Sequence, residues 1–432
     1  MSSRIQTPIA LPCANVTLNA VGVPFSAAFD DIYHSADGAA AQALHVFLAG
    51  NGLPARWRGR DCFTIVETGF GLGLNFLETW RALDDDAQAP GRLHFVSVES
   101  QPLSRNGLAQ MLERRPEHAA RSRELLAAWP LPLAGYHRLH FASGRVSLTL
   151  LLGDAASLLP QLVASADAFY LDGFAPAKNP HIWSREIFTE LARLAAPGAT
   201  LATWTVAAAV RDGLVAAGFA VEKHAGFGAK RNMLAGRWTG QGMPGALDST
   251  PSRQGSSGRT EKRAIVIGAG LAGSSCAERL ATRGWTVEVL ERHDGPAREG
   301  SGNLLGLASP LLNLADSANA RLSRAAFLYA LRHYAALDAG LYSRATGVLR
   351  IARDERDAVR FEKLLRELAC PVELARFAGA REGESLAGWP VSRPGLWFPA
   401  GTAIDPAGAC IANLARFRAR VRLRYGIRAS RI

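Results

Sequence analysis

The chain has 432 residues, 48% of them apolar and 20% charged, which is too long for one hydrophobic core and excludes a fibre or a disordered tail. The formal charge of +11 is carried almost wholly by arginine, because lysine stands only at Lys178, Lys223, Lys230, Lys262 and Lys363. Arginine forks suit phosphate, but an arginine-rich genome would write the same composition, so charge alone raises a polyanionic partner without specifying it.

At the start of the chain, MSSRIQTPIALPCAN offers no apolar stretch behind a basic head, and no run anywhere reaches the roughly 18 apolar residues of a membrane span. A soluble cytoplasmic protein with no membrane association is expected. The five cysteines are scattered, with no C-x-x-C pair, so neither a disulfide framework nor a zinc site is expected.

Residues 16–60 precede the first strand-like run. From there, short β-rich segments alternate with helical ones: DCFTIVET, RLHFVSVES, RVSLTLLLGD, ADAFYLDGF, ATLATWTV, FAVEKH and RNMLAGR. Strands alternating with helices predict a parallel α/β sheet. A Pro-interrupted insert rich in Arg, His and Trp, residues 101–144, separates the second and third runs, and both this insert and residues 16–60 are expected to shape a substrate site, as additions of this kind commonly do.

The first strand leads into Glu67-Thr68-Gly69-Phe70-Gly71-Leu72-Gly73-Leu74-Asn75-Phe76. This turn resembles the first motif of class I methyltransferases, in which a strand-end acid and glycines leave room for the amino acid part of S-adenosyl-L-methionine. A second dinucleotide fingerprint is the alternative. Three further acids bear on the choice. Glu99 ends the second strand, where a carboxylate can bind ribose hydroxyls. Asp154 follows the third, where it can accept from an adenine amino group. Asp172 ends the fourth, beside the reacting centre. Acids at the carboxyl ends of successive strands line one crevice in an open α/β sheet, although any one of them alone would more often be a solvated loop residue.

Residues 240–263 replace apolar periodicity with Gly, Ser, Pro and charge and read as a linker. We therefore expect a first domain over 1–239 and a second over 264–432. The second opens with RAIVIGAGLAGSSCAERLATRGWTVEVLER. Here Gly268 permits a tight turn, Gly270 lets backbone approach a pyrophosphate, Gly273 allows close helix–strand packing, and Glu291 stands at the next strand's tip to accept from ribose hydroxyls. The following stretch, RHDGPAREGSGNLLGLASPLL, contains Ser301, Gly302 and Asn303 and resembles the flavin-contacting segment of the glycine oxidase and D-amino-acid oxidase group. FAD is expected over NAD on that resemblance. Helices are predicted near 318–340 and 354–369, and strands at GVLRIA and GLWFPA.

The runs FYLDGFAPAKNPHIW, ETGFGLGLNF, GFGAKRNML and GSGNLLGLASPLL together resemble the MnmC family of bifunctional tRNA wobble-uridine enzymes. The resemblance spans almost the whole chain in the same domain order. It implies a class I, Rossmann-like methyltransferase domain followed by a FAD-binding Rossmann domain of the D-amino-acid oxidase type, with S-adenosyl-L-methionine and FAD as cofactors. It also implies two steps on one base: FAD-dependent removal of the carboxymethyl group from 5-carboxymethylaminomethyl-2-thiouridine, then N-methylation of the resulting amine. The family's proposed base carries to Asp172, and its cofactor positions carry to Glu67, Gly69, Gly71, Gly73, Asn75, Glu99 and Asp154. Leu72 stands where relatives often have a small polar residue.

For the tRNA, Phe174, Trp183 and Phe227 are candidates to stack on an extruded base, each also suited to the core. Lys178, Lys230 and Arg231 are candidate phosphate contacts, with Asn179 beside them. In that oxidase architecture the sequence continues into a further strand and a C-terminal segment, so the second domain is expected to be incomplete, acting within a monomer. A small-molecule amine oxidase fused to an amine N-methyltransferase is the alternative reading, and a cofactor-binding RNA chaperone without turnover in its second half is a third.

Overall fold

The computed structural model describes residues 8–240, 262–337 and 346–431, so the interior of the 240–263 stretch lies outside the described residues. The chain divides into two compact units, one of Leu11–Ser252 and one of Met1–Ala10 with Arg253–Ile432. Ile9 accounts for the N-terminal piece of the second unit: its side chain is buried, and its N–H donates to the carbonyl of Leu368 at 2.9 Å.

The first unit opens with three short strands, β1 (Val16–Leu18), β2 (Pro24–Ser26) and β3 (Asp31–Ile32), followed by α1 (Ala39–Gln42). Its large sheet is built from β4 (Cys62–Thr68), β5 (Arg92–Glu99), β6 (Gly135–Phe141), β7 (Val146–Leu152), β8 (Ala166–Leu171), β9 (Ala195–Thr203), β10 (Phe219–Ala225) and β11 (Asn232–Trp238). The helices between them are α2 (Leu74–Asp85), α3 (Arg105–Glu113), α4 (Ala119–Ala128), α5 (Ala155–Leu158), α6 (Arg185–Leu194) and α7 (Ala208–Ala216). Every residue of β7 and β8 is buried. Strands covered on both faces need near-continuous apolar runs, and LTLLL and AFYL supply them.

The strand order is β10-β11-β9-β8-β4-β5-β7-β6. The five central strands are parallel, as alternation predicts, but the sheet is mixed: β6 and β11 run antiparallel to their neighbours at the two ends. β6 falls inside the 101–144 insert and escapes sequence reading because it is an edge strand whose apolar residues alternate with His and Arg. Chain order reverses between β4 and β8, with β5 and β7 on one side and β9 on the other. Such a switch point opens a crevice at the carboxyl ends of the strands. The register pairs Thr68 with Leu171, which brings the residues just beyond them, Gly69 and Asp172, into contact.

Helix α2 fixes the glycine turn to the core. Phe76, Leu77, Trp80 and Leu83 form its buried stripe, and the Phe76 ring meets Phe95 of β5 edge-on at 5.3 Å. On the same helix the buried Glu78 accepts a hydrogen bond from Arg81 and shares one with Nε2 of the buried His118 at 2.8 Å. This fastens the insert to α2.

The second unit begins with the unit β12 (Arg263–Ile267), α8 (Leu271–Thr282) and β13 (Thr286–Leu290). It continues through β14 (Gly306–Ala308), α9 (Ala318–Leu337), β15 (Val348–Ile351), α10 (Glu355–Glu367), β16 (Arg376–Ala378), α11 (Ala380–Ala387), β17 (Gly395–Phe398), β18 (Thr402–Ile404), α12 (Pro406–Ala415) and β19 (Val421–Arg424). β12, β13 and β19 form a parallel sheet, β14 pairs with β18, and β15, β17 and β16 make an antiparallel sheet. Val266, Ala277, Val287, Val289 and Leu414 are central to the core beneath the parallel sheet. Among the described residues no helix is long and apolar enough to cross a membrane.

Because Phe76 is wholly buried at the junction of turn and sheet, Phe76→Ala should cost the first unit about 3–5 kcal/mol. Urea unfolding of the full chain measures this, and a loss below about 1 kcal/mol would place the ring outside the core.

Candidate functional site

At the end of β4 the backbone enters the left-handed region at Gly69, φ 90°. A Cβ there would sit 3.1 Å from the carbonyl oxygen of Asp172, so this position needs glycine both for its dihedral and for its closeness to the neighbouring strand. Thr68 Oγ1 donates to the same carbonyl at 2.9 Å, which ties the ends of β4 and β8 together.

The Asp172 carboxylate accepts from the Gly173 N–H at 2.8 Å and from Asn75 Nδ2 at 2.8 Å. Burial pushes its pKa up to about 6, even though both donors favour the anion, and the negative Glu99 adds to the rise. Glu99, at the tip of β5, accepts from the N–H groups of Gly71 at 2.9 Å and Gln101 at 2.8 Å. Burial raises its pKa as well, against the pull of those donors. Each Glu99 oxygen keeps a lone pair after these bonds and can accept from a ligand hydroxyl.

Gly69, Gly71, Asn75, Glu99 and Asp172 line one cavity of about 390 Å³, within the range of small-molecule and cofactor sites. Leu72, Phe174, Asn179, Trp183 and Lys230 line it too. The remaining sequence candidates lie elsewhere. Glu67 is buried behind Asn75, and Gly73 caps α2 in a left-handed conformation, φ 74°. Asp154 caps α5, accepting from Ser157 N–H at 3.0 Å and Ser157 Oγ at 2.7 Å. Lys178 pairs with the exposed Asp30 at 2.9 Å, and Arg231 is exposed outside the lining. Phe227 packs on His45 and Trp204.

Among the cavity residues that sequence reading passed over are Phe29, Asp31, Tyr33 and Trp204. The Phe29 ring stacks on Phe174 at 4.6 Å, and Tyr33 meets Phe174 edge-on at 5.1 Å. Asp31 Oδ2 accepts from the Ala175 N–H at 2.8 Å. Burial drives the Tyr33 hydroxyl up to about 12, so it stays a neutral donor. Lys230 lies over the Trp204 ring at 4.7 Å, with burial lowering its pKa against the opposing field of Asp31. Of the two additions expected to shape the site, the segment before the first large strand builds a cavity wall, whereas the 101–144 insert contributes only its first residue, Gln101.

The second unit holds a corresponding cavity of about 450 Å³ lined by Gly268, Gly270, Glu291 and Ser301, with Arg292, His293 and Arg298 alongside. Glu291 accepts from the N–H groups of Ala269 at 2.8 Å and His293 at 2.9 Å. Burial opposes its ionisation, but these donors outweigh it and its pKa falls. Ser301 Oγ accepts from the Leu271 N–H at the start of α8 at 3.0 Å. Gly273 lies against β12, where a Cβ would be driven into the carbonyl oxygen of Gly268. Gly302 and Asn303 lie outside the lining, with Asn303 Nδ2 donating to Gly300 O at 3.1 Å.

Both cavities fit the groups expected of them. The first has a turn in which Gly69 and Gly71 present no side chain, and a half-buried strand-end carboxylate, Glu99. The second has a glycine approach to a helix N-terminus, where anionic groups are favoured, and a carboxylate at the next strand tip. Residues 116–239 match the family described as S-adenosyl-L-methionine-dependent methyltransferase, and residues 263–432 match FAD dependent oxidoreductase. The chain thus joins a methyltransferase domain, with S-adenosyl-L-methionine as cofactor, to an oxidoreductase domain of the D-amino-acid oxidase type, with FAD as cofactor.

The chain is a homologue of the proteins named tRNA 5-methylaminomethyl-2-thiouridine biosynthesis bifunctional protein MnmC. It is 50% identical to that of Azoarcus sp. (strain BH72) over 95% of this chain and 63% of the relative. It is 46% identical to that of Ralstonia nicotianae (strain ATCC BAA-1114 / GMI1000) over 98% of this chain and 64% of the relative. The chain therefore spans a little under two thirds of the length of the curated relatives it matches. A solved structure titled MNMC2 from Aquifex aeolicus aligns at 22% identity over 53% of this chain and 72% of that chain, with a TM-score of 0.41, too loose a superposition to carry detail across.

Gly69→Ala should weaken binding of S-adenosyl-L-methionine about five- to hundredfold, because a strained left-handed alanine costs about 1–3 kcal/mol and displaces the Asp172 carbonyl. Isothermal titration measures it, and unchanged affinity in a folded variant would show that the turn does not hold the cofactor.

Proposed function

We propose that this chain modifies the wobble uridine of tRNA in two steps, removing the carboxymethyl group from 5-carboxymethylaminomethyl-2-thiouridine and methylating the exposed amine to 5-methylaminomethyl-2-thiouridine. The observation that carries the methyl-transfer half is the Asp172 carboxylate on the wall of the cavity that also contains the glycine turn. The names of the relatives and this chain's own pair of domains support the substrate, and the basic charge suits it. Acting on tRNA would place the protein in the cytoplasm, and we take it to work as a monomer.

When bound, S-adenosyl-L-methionine would supply an electrophilic methyl group, its sulfur leaving as a neutral thioether, and FAD would accept a hydride from the N–CH2 carbon of the carboxymethyl group, giving an imine that water cleaves to the amine and glyoxylate. Gly69 and Gly71 present no side chain to the cofactor, and Glu99 would accept from its ribose hydroxyls. Asp154, released from its cap, would reach an adenine amino group. Asp172 accepts a hydrogen bond from the substrate's neutral amine, aims its lone pair, and takes the proton that nitrogen loses as the new N–C bond forms. Phe174 and Trp183 flank the base, while Lys178, Lys230 and Arg231 meet phosphate. In the second domain Gly268 and Gly270 would admit the pyrophosphate, Glu291 would hold the ribose, and the turn that begins at Ser301 would lie on the flavin side of the cavity.

Asp172→Asn should lower the rate of methyl transfer to tRNA by about 10²- to 10⁴-fold while leaving affinity for S-adenosyl-L-methionine nearly unchanged. Because the carboxylate must be ionised to accept a proton, the native rate should rise with pH and level off above the Asp172 pKa of about 6. Nucleoside mass spectrometry of tRNA incubated with native and variant protein reads both effects. An Asn variant as fast as the native protein would remove Asp172 from the chemistry.

A further inference from the structure

Behind the cavity wall, a line of hydrogen bonds runs from Asp172 into the sheet. Asn75, on the first turn of α2, is 8% exposed, and its Nδ2 donates to Asp172 Oδ2 at 2.8 Å and to Glu67 Oε1 at 3.0 Å. An amide nitrogen has two hydrogens, so both are committed and the amide plane is fixed between two carboxyl groups. Glu67 is 1% exposed, and its other oxygen lies 2.6 Å from Ser97 Oγ, itself buried on β5, a hydroxyl that can donate to the carboxylate or accept the proton of the neutral acid. Both partners of Glu67 are neutral, so no cation offsets a charge there, and the charged groups acting on it, Asp172 and Glu99, are negative. An ionised carboxylate buried among anions is costly.

We infer that Glu67 is a neutral acid rather than a cofactor ligand, and that Glu67 and Asn75 are positioning residues that aim the Asp172 carboxylate into the cavity. Burial pushes Glu67 up to about 8 and Asp172 to about 6. Near pH 7 the pair therefore carries one negative charge, on the member facing the cavity. This separation of two carboxyl groups by environment is how acid and base states are assigned within one site. The other titratable groups around Asp172 are Glu99 on β5, the buried Tyr170 on β8, Asp31, Tyr33 and His34 from the N-terminal wall, and Lys230 between β10 and β11.

The inference deepens the proposed methyl transfer and rests on Asp172 acting there. Its test compares native protein with Glu67→Gln, Asn75→Leu and Asn75→Ser, each checked for cooperative melting. Three quantities are read: the pH profile of methyl transfer to tRNA, the affinity for S-adenosyl-L-methionine, and the ¹³C-carboxyl titration of Asp172, assigned with Asp172→Asn. Glu67→Gln can still accept from Asn75 and donate to Ser97. It should keep affinity within about twofold and leave the Asp172 titration in place. The Asn75 variants remove a donor to the anion and should raise the Asp172 pKa by about one unit, which through the lost ionised fraction slows transfer about threefold at pH 6.5. A tenfold loss of cofactor affinity in Glu67→Gln, with the rate at saturation intact, would make Glu67 an ionised cofactor ligand and overturn the inference. An unmoved Asp172 titration in both Asn75 variants would overturn it too. If native protein methylates no tRNA, the proposed substrate fails, and the carboxyl titration still decides the roles of Glu67 and Asn75.

Discussion

The pairing of β4 with β8 is the constraint from which the methyltransferase site follows. Parallel neighbours in a sheet share a register, so the residue that leaves β4 and the residue that leaves β8 emerge side by side. Gly69 and Asp172 are those residues. The absence of a Cβ at one lets the carbonyl of the other approach to contact distance. A single steric requirement thereby couples a turn suited to a cofactor with the carboxylate suited to the reaction.

Three carboxyl groups, Glu67, Glu99 and Asp172, crowd that junction, and burial opposes ionisation of all three. Directional N–H and O–H donors meet them. Glu99 and Asp172 each face backbone N–H groups and keep lone pairs for a ligand, while Glu67 is closed off by Ser97 and Asn75. The backbone donors on Glu99 and Asp172 stabilise an anion without supplying a mobile counter-charge, which suits a positively charged sulfonium. The second domain repeats the device with Glu291, whose backbone donors overcome burial and hold the carboxylate ionised.

Much of this was legible in the sequence wherever local pattern and function coincide. An apolar strand followed by spaced glycines and a helix announces its own turn, and an acid at a strand end must point into the crevice region, so Glu99, Asp172 and Glu291 could be found from position alone. The same logic reaches its limit at Asp154: it stands at a strand end as expected, yet its side chain is engaged in capping α5. Edge strand β6 hid because a half-polar alternation of His and Arg resembles a loop. Phe29, Tyr33 and Trp204 carried no signal. Phe29 and Tyr33 meet the cavity through long-range packing of the N-terminal segment on the 172–183 loop, Trp204 meets it beside Phe227 and Lys230, and no local spacing records which distant surface an aromatic ring will cover.

The central claim is that the cofactor's methyl group and the Asp172 carboxylate face one another across room for a single amine nitrogen. A crystal structure of the chain with S-adenosyl-L-methionine tests it directly. The account predicts the methyl carbon directed at Asp172, with space for a nitrogen about 3–3.5 Å from the methyl and within hydrogen-bond reach of the carboxylate. A methyl group directed at another wall, or a cofactor bound away from the Gly69–Gly71 turn, would contradict it.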